Sequence, residues 1–329
     1  CVCGKNNAAQ HYESGWAAMG KKDYTTAVNE FQQVIDQNSR LAESYRAEGI
    51  AYYSEKAYPE AIAAFSRSLN NMDDPDKEFK KDVQFYLAQA RMDYGEVDKA
   101  IEVYSEILKA GEDEQAFFLR GKAYISMEDY KNAEKDFQRA LEGCEDYNLY
   151  INIYQIYVDH NKAVDGDAYL KMALELEPQD GEDCYHRGRI YEYEKNYEAA
   201  RDELKTAMEQ GYEDAMLLLG RVYLEMEDPA SARSMYQEYL QKSEQGAKAY
   251  NGLAMCDIYD GAYDSALENI AQGLKENSKE DEQGLLYNEI VAYEYKRDFA
   301  TAKEKMKIYL EQYPEDEAAL RENEFLSTR

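Results

Sequence analysis

One position recurs along this chain at close to even spacing, and it leaves few folds open. Gly15, Gly49, Ala88, Gly121, Tyr154, Gly188, Gly220, Ala254 and Ile290 stand 34, 39, 33, 33, 34, 32, 34 and 36 residues apart. Other positions travel with it. Twelve residues later come Ala27, Ala61, Ala100, Ala133, Gly166, Ala200, Ala232, Ala266 and Ala302. Sixteen residues later a large apolar side chain stands every time, as in Phe31, Phe65, Phe137 and Leu204. Tyrosine recurs three and nine residues after the small residue, as at Tyr124 and Tyr130.

Each period holds two apolar patterns with helical spacing. Such a unit cannot bury its own apolar face, so neighbouring units must stack. Glycine inside a helix costs about 1 kcal/mol relative to alanine. Close approach of a second helix, which only a small side chain allows, offsets that cost. Gly121 and Ala133 are expected to form such a contact point, with Phe137 and Tyr124 filling the space around it. Pro59 and Pro229 fall where second helices should begin, a position that tolerates proline.

This pattern resembles the tetratricopeptide repeat family over roughly residues 8–316. Departures are local. Tyr154 and Ile290 replace the small residue, Arg91 and Asp257 replace the tyrosine, and the closing proline occurs only as Pro178 and Pro314. The resemblance implies an all-α fold, a right-handed α-α superhelix or solenoid of about nine helix hairpins. Residues 1–7 are then a tether, and repeats start near residues 8, 42, 81, 114, 147, 181, 213, 247 and 283. Residues 317–329 are a capping helix and tail, with Leu320 and Phe325 expected to be buried on the last repeat.

With 38 basic and 67 acidic residues the net charge is −29, which disfavours nucleic acid and direct adsorption to anionic lipid. No run of 18 apolar residues exists, so the sequence contains no membrane span. His11, His160 and His186 fall in different repeats with no shared spacing. There is no HExxH, phosphate-binding glycine loop or CxxC pair, so no catalytic residue, metal or cofactor is expected and the chain reads as a non-enzyme. Cys144, Cys184 and Cys256 read as small buried or half-buried residues. The insertion at residues 70–79, with Asp73, Asp74 and Asp76, lacks the glycine and glutamate of a calcium loop and reads as a solvated linker.

The resemblance also implies that the first helix of each repeat lines a concave surface. Residues three before, one after and four after the small residue share one helical face. From that stripe come the candidate partner-binding residues Tyr12, Trp16, Arg46, Tyr53, Phe85, Phe118, Lys122, Gln155, Tyr185, Arg189, Arg221, Met255 and Tyr287. The stripe's basic residues Arg46, Lys122, Arg189 and Arg221 outnumber its acids Glu192 and Glu294. A mildly basic, aromatic trough is expected, suited to a peptide with apolar anchors and some acidic groups. The Lys/Asn pair by which some tetratricopeptide domains hold a C-terminal carboxylate is missing, since Arg46 is followed by Ile50 and Phe118 by Lys122.

The opening CVCGKNN resembles the start of a mature bacterial lipoprotein, which implies lipidation at Cys1. The expected protein is therefore a non-catalytic scaffold that binds a protein or peptide segment. It would be extracytoplasmic, touching a bacterial membrane only through a lipid anchor. The alternatives are a glycan-binding surface lipoprotein and a cytoplasmic peptide-sensing regulator.

Overall fold

The computed structural model describes residues 3–72 and 76–329, with side chains from residue 7 onward. Nineteen helices and no strand are present among the described residues. The contacts gather into two compact units, one ending at Asp167 and one beginning at Ala168. In the first, α1 (Cys3–Gly20) pairs with α2 (Tyr24–Asp36), α3 (Leu41–Ser54) with α4 (Tyr58–Asn70), α5 (Lys77–Tyr94) with α6 (Val97–Ala110), and α7 (Glu114–Ser126) with α8 (Tyr130–Ala140). The helices α9 (Tyr147–Asp159) and α10 (Ala163–Leu174) follow. In the second unit α11 (Gly181–Tyr193) pairs with α12 (Tyr197–Glu209), α13 (Ala215–Glu225) with α14 (Pro229–Lys242), α15 (Ala247–Tyr259) with α16 (Tyr263–Lys275), and α17 (Lys279–Tyr295) with α18 (Phe299–Gln312). The last helix, α19 (Glu317–Ser327), packs on α18.

The turn inside each hairpin is built the same way. Seven residues after the small position the backbone turns left-handed, at Lys22, Lys56, Gly95, Glu128, Asn161, Lys195, Glu227, Gly261 and Arg297. That conformation ends the first helix and is costly for any side chain but glycine. The next residue caps the second helix. Asp23, Asp129, Asn196, Asp228 and Asp298 each accept a hydrogen bond from the backbone N–H three residues on. Hydrogen bonds to Thr26, Ser231 and Thr301 hold the carboxyls of Asp23, Asp228 and Asp298 below the usual aspartate range. Pro59 and Pro229 stand in the first turns of α4 and α14, where their missing N–H costs nothing.

The small residue does meet a second helix, but its partner is the large residue sixteen positions later. A Cβ added to Gly121 would lie 2.7 Å from the Phe137 ring, and one added to Gly15 would lie 2.5 Å from Phe31. Ala133, expected to meet Gly121, is buried, and the Phe137 ring supplies the atoms nearest the glycine; at the equivalent Gly188 the backbone oxygen of Ala200 also lies 3.5 Å from an added Cβ. In the fifth repeat the sizes are exchanged. The bulky Tyr154 is accommodated by Gly166, whose added Cβ would lie 3.1 Å from the Tyr154 ring. Repeats are stapled by the same means. The Tyr236 ring lies against both Gly220 of its own hairpin and Gly252 of the next.

A second recurring device crosses the hairpin one residue to the side. Arg120 holds Asp136 through two hydrogen bonds of 2.7 and 2.8 Å, and Arg187 holds Glu203 at 2.8 Å. In the last repeat the same two positions carry the pair with its signs exchanged, Glu289 and Lys305 at 2.7 Å.

The two ends add detail to the sequence reading. Helix α1 begins at Cys3, so the part of the expected tether that is described, residues 3–7, is helical. At the other end α19 buries Ala319 and Leu326, while Leu320 and Phe325 are 43% and 40% exposed. Asp316 caps α19 by accepting from the N–H groups of Ala318 and Ala319, which sets the helix phase. Ala319 and Leu326 are two turns apart on the inner face, and Leu320 and Phe325 each lie one residue, about 100°, off it. Within the insertion, Asp73 and Asp74 lie outside the described residues. Asp76 caps α5, accepting from the Glu78 N–H at 3.0 Å.

Candidate functional site

First helices of successive repeats touch one another, α1 with α3, α3 with α5 and α7 with α9 in the first unit, and α11 with α13, α13 with α15 and α15 with α17 in the second. Within each unit they form a row on which the stripe residues sit. Eight of those residues belong to the first unit. Tyr12 and Trp16 pack edge-on against the buried Phe31, at 5.8 and 5.6 Å between ring centres. Phe85 and Phe118 are tilted on Tyr104 and Phe137, with 51° and 45° between the rings. These rings are half-buried packing of their own hairpins before they are contact surface.

The polar residues of this row find several partners. Arg46 donates to Asp82 at 2.5 Å and lies 5.3 Å from the Tyr86 ring centre. The Tyr53 hydroxyl donates to Asp93 at 2.5 Å, and burial together with that bond raises its pKa. Gln155 donates to Asp159 at 3.0 Å. Lys122 is exposed and makes no ion pair among the described residues. Of the two stripe cations in this unit, Arg46 is thus neutralised by a carboxylate and Lys122 is not. Asp82, Asp93 and Asp159 lie outside the three-position stripe, and two of them sit five residues after the small position, one turn beyond its +1 member.

In the second unit Tyr185, Arg221 and Met255 come together in a hollow of ≈ 1170 Å³. Helices α11, α13, α15 and α17 supply most of its wall, and the turns after α14 and α16 supply its rim. Tyr185 is tilted on Tyr212 at 4.9 Å, and burial raises its hydroxyl pKa. Arg221 holds Glu192 of the preceding first helix through bonds of 2.6 and 2.7 Å. Met255 is 37% exposed. Two candidate residues of this unit do not line the hollow. Arg189 lies over the Tyr185 ring and meets His186 at 3.2 Å, while Tyr287 packs edge-on against Tyr309 at 5.8 Å.

Much of the wall lies outside the stripe, including Lys248, Asn288 and Glu225. Lys248 is held by Glu280 at 2.9 Å, a bond that raises its pKa. Asn288 donates to Asn251 at 2.8 Å, joining α17 to α15. Glu225 lies five residues after Gly220, the position that also carries Asp93 and Asp159. Extending the stripe by that one position would have found it. Cys184 and Cys256 are buried and Cys144 is half-buried, all as free thiols. Burial pushes the Cys256 thiol up to about 11, which suits a packing residue rather than a nucleophile. Cys1 lies outside the described residues.

Stacked helix hairpins with a hollow on their first-helix face define a helical-repeat protein. The chain belongs to the tetratricopeptide repeat family. One family model described as tetratricopeptide repeat matches residues 12–76, 185–247 and 217–282, and a second with the same description matches residues 114–146. None of the curated proteins matches the sequence. Among solved structures, YrrB, described as a tetratricopeptide protein with an unusual peptide-binding site, is 26% identical, over 57% of this chain and 97% of its own, with a TM-score of 0.37. A tetratricopeptide protein from Parabacteroides merdae ATCC 43184 is 16% identical over 76% of this chain and 99% of its own, with a TM-score of 0.45. Pseudomonas aeruginosa pilF is 18% identical over 66% of this chain and 97% of its own, with a TM-score of 0.43. Tetratricopeptide proteins generally mediate protein–protein interactions.

Proposed function

We propose that the protein is a non-catalytic scaffold that holds a segment of a partner protein in the hollow of its second unit. The observation that carries this reading is the ≈ 1170 Å³ hollow on the first-helix face, lined by both apolar and polar side chains. Leu217, Leu224 and Met255 offer apolar surface for anchoring side chains. Asn251 and Asn288 offer side-chain amides, which pair readily with an extended main chain. The expected lipid anchor at Cys1 is part of the same proposal. The mass of the N-terminus of native protein, after detergent phase partition, decides it.

The binding reading is tested by panning a displayed random-peptide library on the full chain and on a Met255→Glu variant. A charge in mid-groove is expected to abolish enrichment, with circular dichroism unchanged because Met255 contributes little to the core. Equal enrichment on both proteins, or none on either, overturns the reading.

A further inference from the structure

Beside the main hollow lies a second, of ≈ 770 Å³, that shares Leu224, Glu225 and Met255 with it. Tyrosines dominate its wall. Tyr259 and Tyr295 are 55% and 59% exposed, so solvent reaches both rings within one hollow. Tyr263 stacks on Tyr295 at 6.0 Å with 23° between the rings. The charged lining residues are Glu225, Glu227 and Asp260, with no lysine or arginine among them. Nearby cations already hold carboxylates, one of them the lining Asp260, which leaves Glu225 and Glu227 as the acids no cation offsets among the described residues. Arg233 binds Asp257 and Asp260 at 2.6 and 2.8 Å, and Lys296 binds Asp264 at 2.6 Å. The main hollow continues the trend. Asp214, Glu225, Glu244, Glu276, Glu280 and Asp281 line it against only Arg221 and Lys248, each of which already holds a carboxylate.

Open tyrosine faces attract cations through the ring quadrupole, and carboxylates beside them add direct attraction. An acidic ligand would meet repulsion from both. We propose that the two adjoining hollows take a cationic, lysine- or arginine-bearing segment of a partner protein. Its charged side chains lie on Tyr259 and Tyr295 and against Glu225 and Glu227, and its apolar side chains rest on Leu224 and Met255. This rests on the groove reading above and reverses the preference for acidic groups that the stripe of the sequence implied.

The test is calorimetric titration of the full chain, at about 0.15 M salt to screen diffuse attraction. The probe is a synthetic amphipathic peptide of lysine and leucine, set beside its counterpart with glutamate for every lysine. The lysine peptide is expected to bind, and a Tyr259→Ala/Tyr295→Ala variant to bind it about tenfold more weakly. Both rings are largely exposed, so the variant's helicity should be native by circular dichroism. Unchanged affinity in that variant would mean diffuse attraction to an acidic body and overturns the proposal. So does failure of the lysine peptide to bind. Tighter binding of the glutamate peptide, lost in Met255→Glu, overturns the cationic preference and leaves the groove reading standing.

Discussion

At the scale of single residues, the recurring glycine is explained by a ring. Phe137 lies so close to Gly121 that no side chain fits between them. Gly121→Leu is therefore expected to force the ring or the helix aside and destabilise the array by about 1–3 kcal/mol. Urea unfolding checks this; a midpoint equal to that of the native chain would mean the contact is absent. The position was legible in the sequence, because the glycine and the large residue keep their spacing of sixteen through the chain. The nearest group was less legible. Ala133 recurs just as faithfully as Phe137, and periodicity gives the phase of two helices without saying which side chain bridges them. The exchange of sizes between Tyr154 and Gly166 shows the rule beneath the pattern. The hairpin needs one small residue at the crossing, on either helix.

At the scale of elements, turns and ends were the least legible parts. The left-handed residue seven positions after the glycine recurs in all nine hairpins, yet only Gly95 and Gly261 mark it in the sequence. The terminal helix α19 carries a pH-sensitive contact. Burial, then the charge and hydrogen bond of Glu322 on α19, raise the Glu294 carboxyl on α17 to about 7 from its ordinary 4.5. The folded form thus binds this proton more tightly than the unfolded one. Its contribution is fully present below pH 4.5 and is lost as the pH rises through about 7. Amide exchange in α19 is expected to be slower at low pH than at high pH within that window, relative to the intrinsic rates. Glu294→Gln should remove the difference. A variant that keeps it would assign the effect to another group.

At the scale of the whole molecule, charge dominates. With 67 acidic residues against 38 basic ones, the folded chain repels itself. The screening length falls from about 30 Å at 0.01 M salt to about 10 Å at 0.1 M. The melting temperature is therefore expected to rise over that range, read by circular dichroism at neutral pH. A flat or falling midpoint would show that the ion pairs of the first-helix rows, such as Arg46 with Asp82, outweigh the repulsion.

What the sequence by itself determined is the repeat: its period, the two helices of each unit, the crossing at the small residue and the all-helical class. These follow from local propensity and from contacts within one hairpin, where the chain positions are close and keep a constant offset. The character of the groove was decided only in the tertiary structure. Arg46 finds Asp82, Tyr53 finds Asp93 and Arg221 finds Glu192, each about one repeat away on an adjacent first helix. The acidic rim comes partly from turns such as the one holding Glu244, and partly from a position the stripe omitted. Counting charges along a single face makes the row basic. Stacking the helices pairs Arg46 and Arg221 with carboxylates and sets tyrosines and further carboxylates around the hollows of the second unit.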